Sequence, residues 1–434
     1  MACSSAVAGV PRLSDAWRAR GVLARVARAL PADSGVALGF AGDGPAGDAL
    51  ARIVFSSPGA VGRALWPPTP DAISDAHLRG DFDIEGDIAA VARAGRSFDL
   101  GRLSWTGRAA LLRDVLRLRG NAGPTRAPTR RARLRGRRHS VARDRAAVRF
   151  HYDVGNPFYA LWLDRRMTYS CAYFATPETD LDAAQEAKLD LVCRKLALRP
   201  GRRLLDIGCG WGSLIVYAAE RYGVEAVGVT LSEEQAREAD AHAREARVSD
   251  HVRALVLDYR ELARLGPFDA VASIGMFEHV GSAKLRDYFA AVTRALRPGG
   301  LFLNHGIAAT ALALAGLRRI RFGADFVGAH VFPDGELVTV AEALDRARGA
   351  GLEVIDVQSL RPHYALTLAA WVRRLEAKRE VARSLVGEEV YRTWRLYMAG
   401  ARVGFERGEF DVTQMLLARP LQGAPARRPL RPWW

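Results

Sequence analysis

Residues 204–212, with the sequence L-L-D-I-G-C-G-W-G, decide the fold. An apolar run leads into an acidic residue, Asp206, and then into three glycines at alternate positions, Gly208, Gly210 and Gly212. This order predicts a strand that turns tightly into a helix and exposes its main chain to a ligand, because glycine has no Cβ and adopts positive φ readily. Asp206 is expected at the crevice where open α/β sheets bind ligands. Similar loops bind dinucleotides and phosphates, so the loop alone leaves the ligand undecided.

The sequence from Leu204 onward alternates strand and helix patterns, which predicts a doubly wound parallel sheet with right-handed crossovers. Strands are predicted at residues 204–207, 226–230, 254–257, 270–274, 301–304 and 353–357. Helices are predicted at residues 212–221, 233–247, 364–385 and 388–407. A strand-like run at 412–417 is expected to close the sheet as an antiparallel edge strand.

The length of 434 residues favours two domains, and 49% hydrophobic residues provide ample core. Residues 1–118 predict a smaller α+β domain, and residues 119–150 a basic linker. The catalytic domain is expected at 151–420, and the tail at 421–434, which is rich in Pro and Arg, is expected to be disordered.

A net charge of +15 favours anionic partners, either phospholipid headgroups or nucleic acid. The linker concentrates this charge, since ten arginines between Gly120 and Phe150 face a single acid, Asp144. The linker is interpreted either as a contact with anionic lipid or as a solvated connector. Nucleic acid is a third option, but the linker has no interleaved aromatic residues to support it. The ten residues are Arg126, Arg130, Arg131, Arg133, Arg135, Arg137, Arg138, Arg143, Arg145 and Arg149.

The cysteines and histidines predict neither a disulfide framework nor a metal site. The four cysteines (Cys3, Cys171, Cys193 and Cys209) have no paired spacing, and the nine histidines form no metal-binding motif. The first residues lack a basic leader and a long apolar core, so a cytoplasmic location is expected. The alanine-rich stretch at 300–317 predicts a buried strand with a loop or helix, so any membrane contact is expected to be peripheral.

The residues after the second and third strands favour S-adenosylmethionine over a dinucleotide. Residues 228–232, G-V-T-L-S, place hydroxyl groups where a dinucleotide site needs an acid, and the loop lacks the G-x-G-x-x-G spacing. Tyr259 follows the third strand and is expected at the adenine, with core packing as the alternative.

Glu278 follows the fourth strand and is a candidate base or anchor for a base, with a surface or helix-capping glutamate as the alternative. The Asn/Asp-Pro-Pro-aromatic motif of enzymes that methylate nucleobase amines is missing here.

Six blocks give the chain a specific resemblance: 151–156 (H-Y-D-V-G-N), 167–174 (M-T-Y-S-C-A-Y-F), 208–212, 228–232, 277–279 (F-E-H) and 332–335 (F-P-D-G). From about residue 145 to 419 the chain resembles the cyclopropane-fatty-acyl-phospholipid synthases and the related mycolic acid cyclopropane synthases. The resemblance implies a Rossmann-like class I methyltransferase with a mostly parallel, seven-stranded sheet. Residues 78–87 also resemble the N-terminal lipid-binding region of longer members.

The resemblance implies methyl transfer from S-adenosylmethionine to a cis double bond of an acyl chain, followed by loss of a proton to bound bicarbonate and closure of a cyclopropane ring. The residues implied around bicarbonate are Cys171, Glu278, His305 and Ile307, with His330 at the position of the family's tyrosine. Those implied around S-adenosylmethionine are Tyr169, Ser170, Asp206, Gly208, Gly210, Gly212, Thr230, Leu231, Gln235, Tyr259 and Arg260, with Asp206 orienting the loop.

Several alternatives stay open at this stage. The same methyl transfer can end in a methyl or methylene branch, the chain can be a noncatalytic lipid-binding relative, or the acceptor can be a soluble small molecule. The expected partners are unsaturated phospholipid acyl chains and the anionic inner face of the membrane, with a possible homodimer and no nucleic acid.

Overall fold

The computed structural model describes residues 13–44, 47–124, 127–314, 320–321, 325–426 and 430–434. The chain forms two compact units. The first comprises the chain up to Arg131 together with Gly387–Gly400, and the second comprises Ala132–Val386 together with Ala401–Trp434. Cys3, Arg126 and the last part of the alanine-rich stretch, 315–317, lie outside the described residues. The domain boundaries that the sequence suggests stay predictions.

The first unit is a small α+β structure with a three-stranded sheet, in which β2 pairs in parallel with β1 and antiparallel with β3. Its strands are β1 (Val36–Phe40), β2 (Ala51–Phe55) and β3 (Phe82–Gly86). Its helices are α1 (Leu13–Ala29), α2 (Pro58–Leu65), α3 (Pro70–Arg79), α4 (Ile88–Arg96) and α5 (Trp105–Gly120), with a 3₁₀ turn at Leu100–Arg102.

The segment Gly387–Gly400 belongs to the first unit because its arginines bind main-chain carbonyl groups there. The Arg395 guanidinium donates to the carbonyl oxygens of Ile84 at 2.8 Å and Gly86 at 3.1 Å. Arg392 donates to the carbonyl of His77 at 2.7 Å. Hydrogen bonds from a charged donor are stronger than neutral ones, so they hold this segment firmly.

The second unit contains the seven strands of the main sheet and a separate short pair of strands. They are β4 (Arg203–Ile207), β5 (Glu225–Thr230), β6 (Val252–Val256), β7 (Phe268–Ile274), β8 (Leu296–Ala309), the short pair β9 (Ile320–Arg321) and β10 (Glu336–Leu337), β11 (Glu353–Ser359) and β12 (Phe410–Ala418).

The helices that alternate with these strands complete the second unit, except that the part Gly387–Gly400 of the last helix belongs to the first unit. They are α6 (Val141–Tyr152), α7 (Asn156–Tyr159), α8 (Leu181–Lys195), α9 (Ser213–Tyr222), α10 (Glu233–Glu245), α11 (Leu285–Ala295), α12 (Ala311–Leu314), α13 (Phe326–His330), α14 (Val340–Gly349), α15 (Arg361–Ala377) and α16 (Arg379–Glu406), which is interrupted at Gly387. Short 3₁₀ helices lie at Tyr259–Leu265, Phe277–His279 and Ser282–Lys284.

The main sheet has seven strands in the order β11-β12-β8-β7-β4-β5-β6, which confirms the doubly wound α/β fold. The pairs β4–β5, β5–β6, β4–β7 and β7–β8 are parallel. Asp206 pairs in register with Gly228 on one side and Ala272 on the other, so the carboxyl ends of β4, β5 and β7 lie level. Every strand predicted from the sequence exists, with ends that differ by a few residues.

The prediction of an antiparallel edge strand is half wrong. β12 is antiparallel, but it lies inside the sheet between β11 and β8, and β11 is the edge. The physical reason is visible in its burial, since seven consecutive residues from Val412 to Ala418 are buried. When both faces of a strand are buried, its main-chain groups are buried too. Such a strand needs a hydrogen-bonding partner strand along each edge, because an unpaired buried main-chain group is costly.

The tail makes contacts in its described part, although its composition predicts disorder. Leu421 forms a β-bridge with Ala424. The Trp433 indole donates to the carbonyl of Arg194 at 3.0 Å, and the Trp434 ring centroid lies 5.5 Å from the Lys195 ammonium. This part of the tail therefore packs on the second unit. No helix among the described residues is long and apolar enough to cross a bilayer.

Candidate active site

A cavity opens at the carboxyl ends of β4, β5 and β7. In doubly wound folds this is the crevice where ligands bind. Nine of the eleven residues predicted around the cofactor line it: Tyr169, Ser170, Asp206, Gly208, Gly210, Thr230, Leu231, Gln235 and Tyr259. Gly212 and Arg260 are not among the lining residues, and the structure gives each another role.

The three loop glycines all have positive φ, but for different local reasons. A Cβ on Gly208 would lie 2.9 Å from the side chain of Met276, so the cavity wall requires glycine there. A Cβ on Gly210 would meet nothing within 4 Å, so this glycine serves backbone conformation and leaves the main chain open. A Cβ on Gly212 would lie 2.8 Å from Ala239, so Gly212 permits close packing of α9 on α10.

The end of β5 carries hydroxyl and amide groups that are fixed by one another. The Thr230 hydroxyl donates to the Gln235 side-chain oxygen at 2.7 Å and accepts from the Ser232 amide at 3.2 Å. Ser232 caps α10 by accepting from the Gln235 amide at 3.2 Å. With its oxygen occupied, the Gln235 side chain has its NH₂ group to offer to a ligand.

Arg260 is held by acidic residues rather than presented to the cavity. Its guanidinium donates to the carboxylates of Asp258 and Asp144, both at 2.8 Å. It also lies over the Tyr259 ring, 4.6 Å from the centroid. Direct contact of Arg260 with the cofactor stays a prediction, since Arg260 lies beside Tyr259 but is not among the residues that line the cavity.

Two residues that the sequence analysis missed, Gln185 and Lys188, hold the segment 167–173 from below. The Gln185 amide donates to the carbonyls of Ser170 at 2.8 Å and Thr168 at 3.2 Å. The Lys188 ammonium donates to the Ser170 hydroxyl at 3.0 Å and lines the cavity. Both lie on the buried face of α8, at the i, i+4, i+7 spacing from Leu181, and that spacing is the signal that finds them.

Lys188 and Asp206 both line the cavity, are buried, and act on each other electrostatically. Burial lowers the pKa of Lys188 to about 8, opposed by the carboxylate of Asp164, and raises the pKa of Asp206 to about 7, opposed by Lys188. Asp206 Oδ1 has no hydrogen-bond partner among the described residues. The carboxyl group of Asp206 therefore titrates near pH 7, and its Oδ1 is an acceptor available to a ligand.

Glu278 lies on the 3₁₀ turn after β7 and is turned towards β8. Its Oε1 accepts from the Ile307 main-chain amide at 2.7 Å, and Oε2 is buried without a partner among the described residues. Burial raises the pKa of Glu278 to about 7, while the Ile307 amide acts in the opposite direction. Glycine is needed at 306, because a Cβ there would lie 2.3 Å from the Phe277 ring.

His305 is a buried, neutral imidazole whose tautomer follows from the orientation of the Gln414 amide. Burial lowers the pKa of His305 to about 3. Its Nδ1 lies 3.3 Å from the Gln414 amide nitrogen. An amide nitrogen only donates, so Nδ1 accepts and Nε2 carries the proton. That N–H is buried without a partner among the described residues, which makes it a donor available to an anion.

Of the five residues implied around bicarbonate, direct contact is seen for Glu278 with Ile307. The Cys171 thiol is buried, and its Sγ lies 3.2 Å from the Ala172 carbonyl; burial raises its pKa. His330 is the last residue of α13 and is buried, with its ring centroid 5.5 Å from that of Phe326. These side chains belong to separate elements around one end of the sheet.

Comparisons with known proteins agree with this geometry. A family model described as mycolic acid cyclopropane synthetase matches residues 139–415. The chain belongs to the mycolic acid cyclopropane synthetase family. A probable fatty acid methyltransferase of Pseudomonas putida is 40% identical over 368 residues, covering 85% of this chain and 87% of that protein. That alignment is longer than the chain from residue 139 onward, so it extends into the first unit.

Solved structures of the synthetase family share the fold of the second unit. The cyclopropane synthase MmaA2 from Mycobacterium tuberculosis has a TM-score of 0.59 and 35% identity, covering 63% of this chain and 98% of that one. The mycolic acid cyclopropane synthase CmaA1, complexed with SAH and CTAB, has a TM-score of 0.58 and 35% identity with the same coverage. This family member is therefore an S-adenosylmethionine-dependent methyltransferase, of a family that modifies fatty acyl chains.

Proposed function

We propose that this family member transfers the methyl group of S-adenosylmethionine to a cis double bond of a phospholipid acyl chain and closes a cyclopropane ring. The observation that carries the proposal is Glu278. Its carboxyl group is buried beside the cavity, fixed through one oxygen by the Ile307 amide, and has the other oxygen unpartnered among the described residues. A reaction that must remove a proton in a site without water needs such a group.

The residues of the cavity fit S-adenosylmethionine, which when bound supplies an electrophilic methyl group on a sulfonium. Gly208 and Gly210 let the ligand approach the main chain, and Tyr259 offers an aromatic face for the adenine. The Gln235 amide and Asp206 Oδ1 offer a donor and an acceptor to the polar groups of the ligand. Gly212 and Arg260 support these residues from behind.

The acyl chain undergoes two bond changes. The π electrons of the alkene form a bond to the methyl carbon as the carbon–sulfur bond breaks, which leaves a carbocation on the other alkene carbon. Loss of a proton from the transferred methyl group then provides the electron pair that closes the ring. Water must be excluded, because it would add to the cation. Tyr169 lies within 6 Å, centroid to centroid, of Trp162 and Trp371 in an aromatic cluster suited to that task.

The residues present also fit a small anion such as bicarbonate, which would supply the base that accepts the proton. Glu278 Oε2 and the His305 Nε2–H are buried polar atoms without partners among the described residues. We propose that they hold the anion together with the main chain of Cys171. Ile307 contributes through Glu278, because its amide is already hydrogen-bonded to that carboxylate.

A second product is favoured by one observation, His330 at the position of the family's tyrosine. A histidine differs from a tyrosine in length and in titration, so it changes how an anion beside the cation is held. If a 1,2-hydride shift moves the cation to the carbon that carries the new methyl group and that methyl group then loses the proton, the product is a methylene branch. If the proton is lost from the neighbouring acyl carbon instead, the product is a methyl branch beside a double bond.

The deciding experiment incubates the purified chain with S-adenosylmethionine and vesicles of dioleoyl phosphatidylglycerol and follows the lipids by mass spectrometry. We expect each modified acyl chain to gain the mass of one CH₂ group, and proton NMR then separates a ring from a branch. No gain with any unsaturated lipid, together with no binding of S-adenosylmethionine by calorimetry, would support a noncatalytic lipid-binding protein. Equal activity on a soluble acceptor without vesicles would support a small-molecule methyltransferase.

We further propose that the chain works at the cytoplasmic face of the membrane as a peripheral protein, with a homodimer as a possible assembly. The support is the phospholipid substrate and the net charge of +15, which favours anionic surfaces. Flotation of the chain with vesicles and sedimentation of the free chain test the two statements separately.

A further inference from the structure

Helix α5 of the first unit exposes a row of large apolar side chains. Trp105, Leu112 and Leu116 are 79%, 47% and 42% exposed. Their spacing of i, i+7 and i+11 places them on one face of the helix. The opposite face carries the buried residues Asp114, Val115 and Leu118, which pack into the unit. The apolar row therefore points outward from the first unit.

The same outward surface is strongly basic. Arg108, Arg113, Arg117 and Arg119 are exposed beside the apolar row. The one acid of the helix, Asp114, is buried and bound by Arg25 of α1 at 3.2 Å and by Arg113 at 3.0 Å. A helix with Trp and Leu on its outer face, flanked by arginines, has the composition of helices that lie in a membrane interface.

We infer that this face of α5, defined by Trp105, Leu112, Leu116 and the four arginines, docks the enzyme on an anionic phospholipid bilayer. The inference rests on the proposed function for its lipid and adds the surface that meets it. Charge complementarity selects the occupant, because phosphate headgroups attract the arginines while the apolar row enters the acyl boundary.

A second copy of the chain fits this face less well. In a symmetric contact of α5 with itself, the arginines of one copy would meet those of the other, and like charges in an interface are repulsive. Arg113 pairs with Asp114, but Arg108, Arg117 and Arg119 have no acidic partner among the described residues, and this remaining basic charge favours a surface of opposite sign.

Three arginines of the predicted linker have partners within the protein. Arg143 donates to the Asp334 carboxylate at 2.9 Å, and Arg138 donates to the Asp334 carbonyl at 3.1 Å. Arg131 pairs with Asp75 at 3.1 Å. Other linker arginines, such as Arg133, Arg135 and Arg137, are exposed, so lipid contact by the linker stays a prediction beside the surface on α5.

The test measures sedimentation of the full chain with vesicles of dioleoyl phosphatidylglycerol and with vesicles of dioleoyl phosphatidylcholine in low salt. The apolar variant is W105A/L112S/L116S, and its matched control L50S/I73S/F98A removes exposed apolar side chains elsewhere in the first unit. The charge variant is R108Q/R113Q/R117Q/R119Q, and its control R165Q/R221Q/R253Q/R264Q removes the same charge from the second unit. Circular dichroism confirms that each variant is folded.

We expect the parent chain and both controls to bind phosphatidylglycerol vesicles. The apolar variant should bind at least about tenfold more weakly, and the charge variant about fivefold more weakly for each arginine removed. Both variants should keep turnover on acyl chains dispersed in detergent. Suppose that detergent-dispersed lipid is modified, but the parent chain does not bind phosphatidylglycerol vesicles or the folded variants bind them as tightly as the parent chain does. The docking inference is then wrong while the proposed function stands.

Two further outcomes separate the possibilities. If no lipid is modified but vesicle binding falls in the α5 variants alone, the proposed function fails and the docking surface stands. If analytical ultracentrifugation shows a dimer that the apolar variant abolishes, with no loss of vesicle binding, the face binds a second copy and the inference is overturned.

Discussion

The variant Glu278→Gln is expected to be more stable than the parent chain at pH 8 and to lose turnover. Glutamine keeps an oxygen that accepts from the Ile307 amide, so the local fold is preserved. It removes the ionisable group that the reaction needs, and a positioned acid or base contributes about 10²–10⁴-fold to rate. Glu278 is not among the residues that line the cavity, so the affinity for S-adenosylmethionine should not change.

The magnitude of the stability change follows from burial. Burial raises the pKa of Glu278 from the ordinary 4.5 to about 7, so the folded chain holds this proton more tightly than the unfolded chain. The contribution to stability is therefore present in full below pH 4.5, falls as the pH rises, and is lost above pH 7. The whole loss is about 3 kcal/mol, at about 1.4 kcal/mol for each pKa unit.

The assay is urea unfolding at pH 5 and pH 8, followed by tryptophan fluorescence. Adding S-adenosylhomocysteine identifies the transition of the second unit, because a ligand stabilises the unit that binds it. The gain in unfolding free energy from Glu278→Gln should be about 2–3 kcal/mol larger at pH 8 than at pH 5. The control Glu245→Gln, at an exposed residue of α10, should show no difference between the two pH values.

Two results would refute this reasoning. An equal effect of Glu278→Gln at both pH values would mean that the buried carboxyl group does not change its proton affinity on folding. A loss of stability that grows with pH would mean that the folded chain stabilises the carboxylate, so that Glu278 is ionised at neutral pH and its pKa is low.

Other substitutions test the cavity and its support. Gly208→Ala, which places a Cβ 2.9 Å from a methionine side chain at positive φ, should cost about 1–3 kcal/mol and weaken binding of S-adenosylmethionine in calorimetry. Gly306→Ala, whose Cβ would lie 2.3 Å from the Phe277 ring, should lower turnover at least about 100-fold with cofactor affinity retained, as steady-state kinetics can show. Lys188→Met removes the hydrogen bond to Ser170 and should raise the dissociation constant of S-adenosylmethionine about tenfold, whereas unchanged binding would contradict its positioning role.

Much of the fold was predictable because local pattern and global structure agree in this chain. The strand at Arg203–Ile207 and its glycine loop combine an apolar run with residues that tolerate positive φ, and both signals are local. The place of β12 inside the sheet was not predictable in this way. An antiparallel strand buried on both faces has the same short apolar run as an edge strand, and only its neighbours distinguish them.

The candidate site likewise contains some residues that the local sequence predicts and others that only the folded structure identifies. Residues in glycine-rich or hydroxyl-rich motifs, such as Gly208 and Thr230, were predicted because the type of residue is itself the signal. Lys188 was missed because a lysine in a helix is usually exposed, although its spacing from Leu181 places it on the buried face of α8. Arg260 follows Tyr259, the residue predicted at the adenine, in sequence, but its charge is satisfied by Asp258 and Asp144.

Three of the polar groups that have a buried atom without a partner among the described residues share one arrangement. Glu278, His305 and Asp206 each have one atom without a hydrogen-bond partner among the described residues, while a neighbour fixes or faces the rest of the group: Ile307, Gln414 and Lys188 in turn. Leaving such an atom unpaired costs about 1–3 kcal/mol, so a sequence selected for stability alone would replace it. Groups held in this way need no reorganisation when a charged ligand arrives. The stability that Glu278→Gln is expected to recover at pH 8 is therefore the free energy that the folded chain spends on keeping an ionised, incompletely paired carboxyl group where the ligand binds.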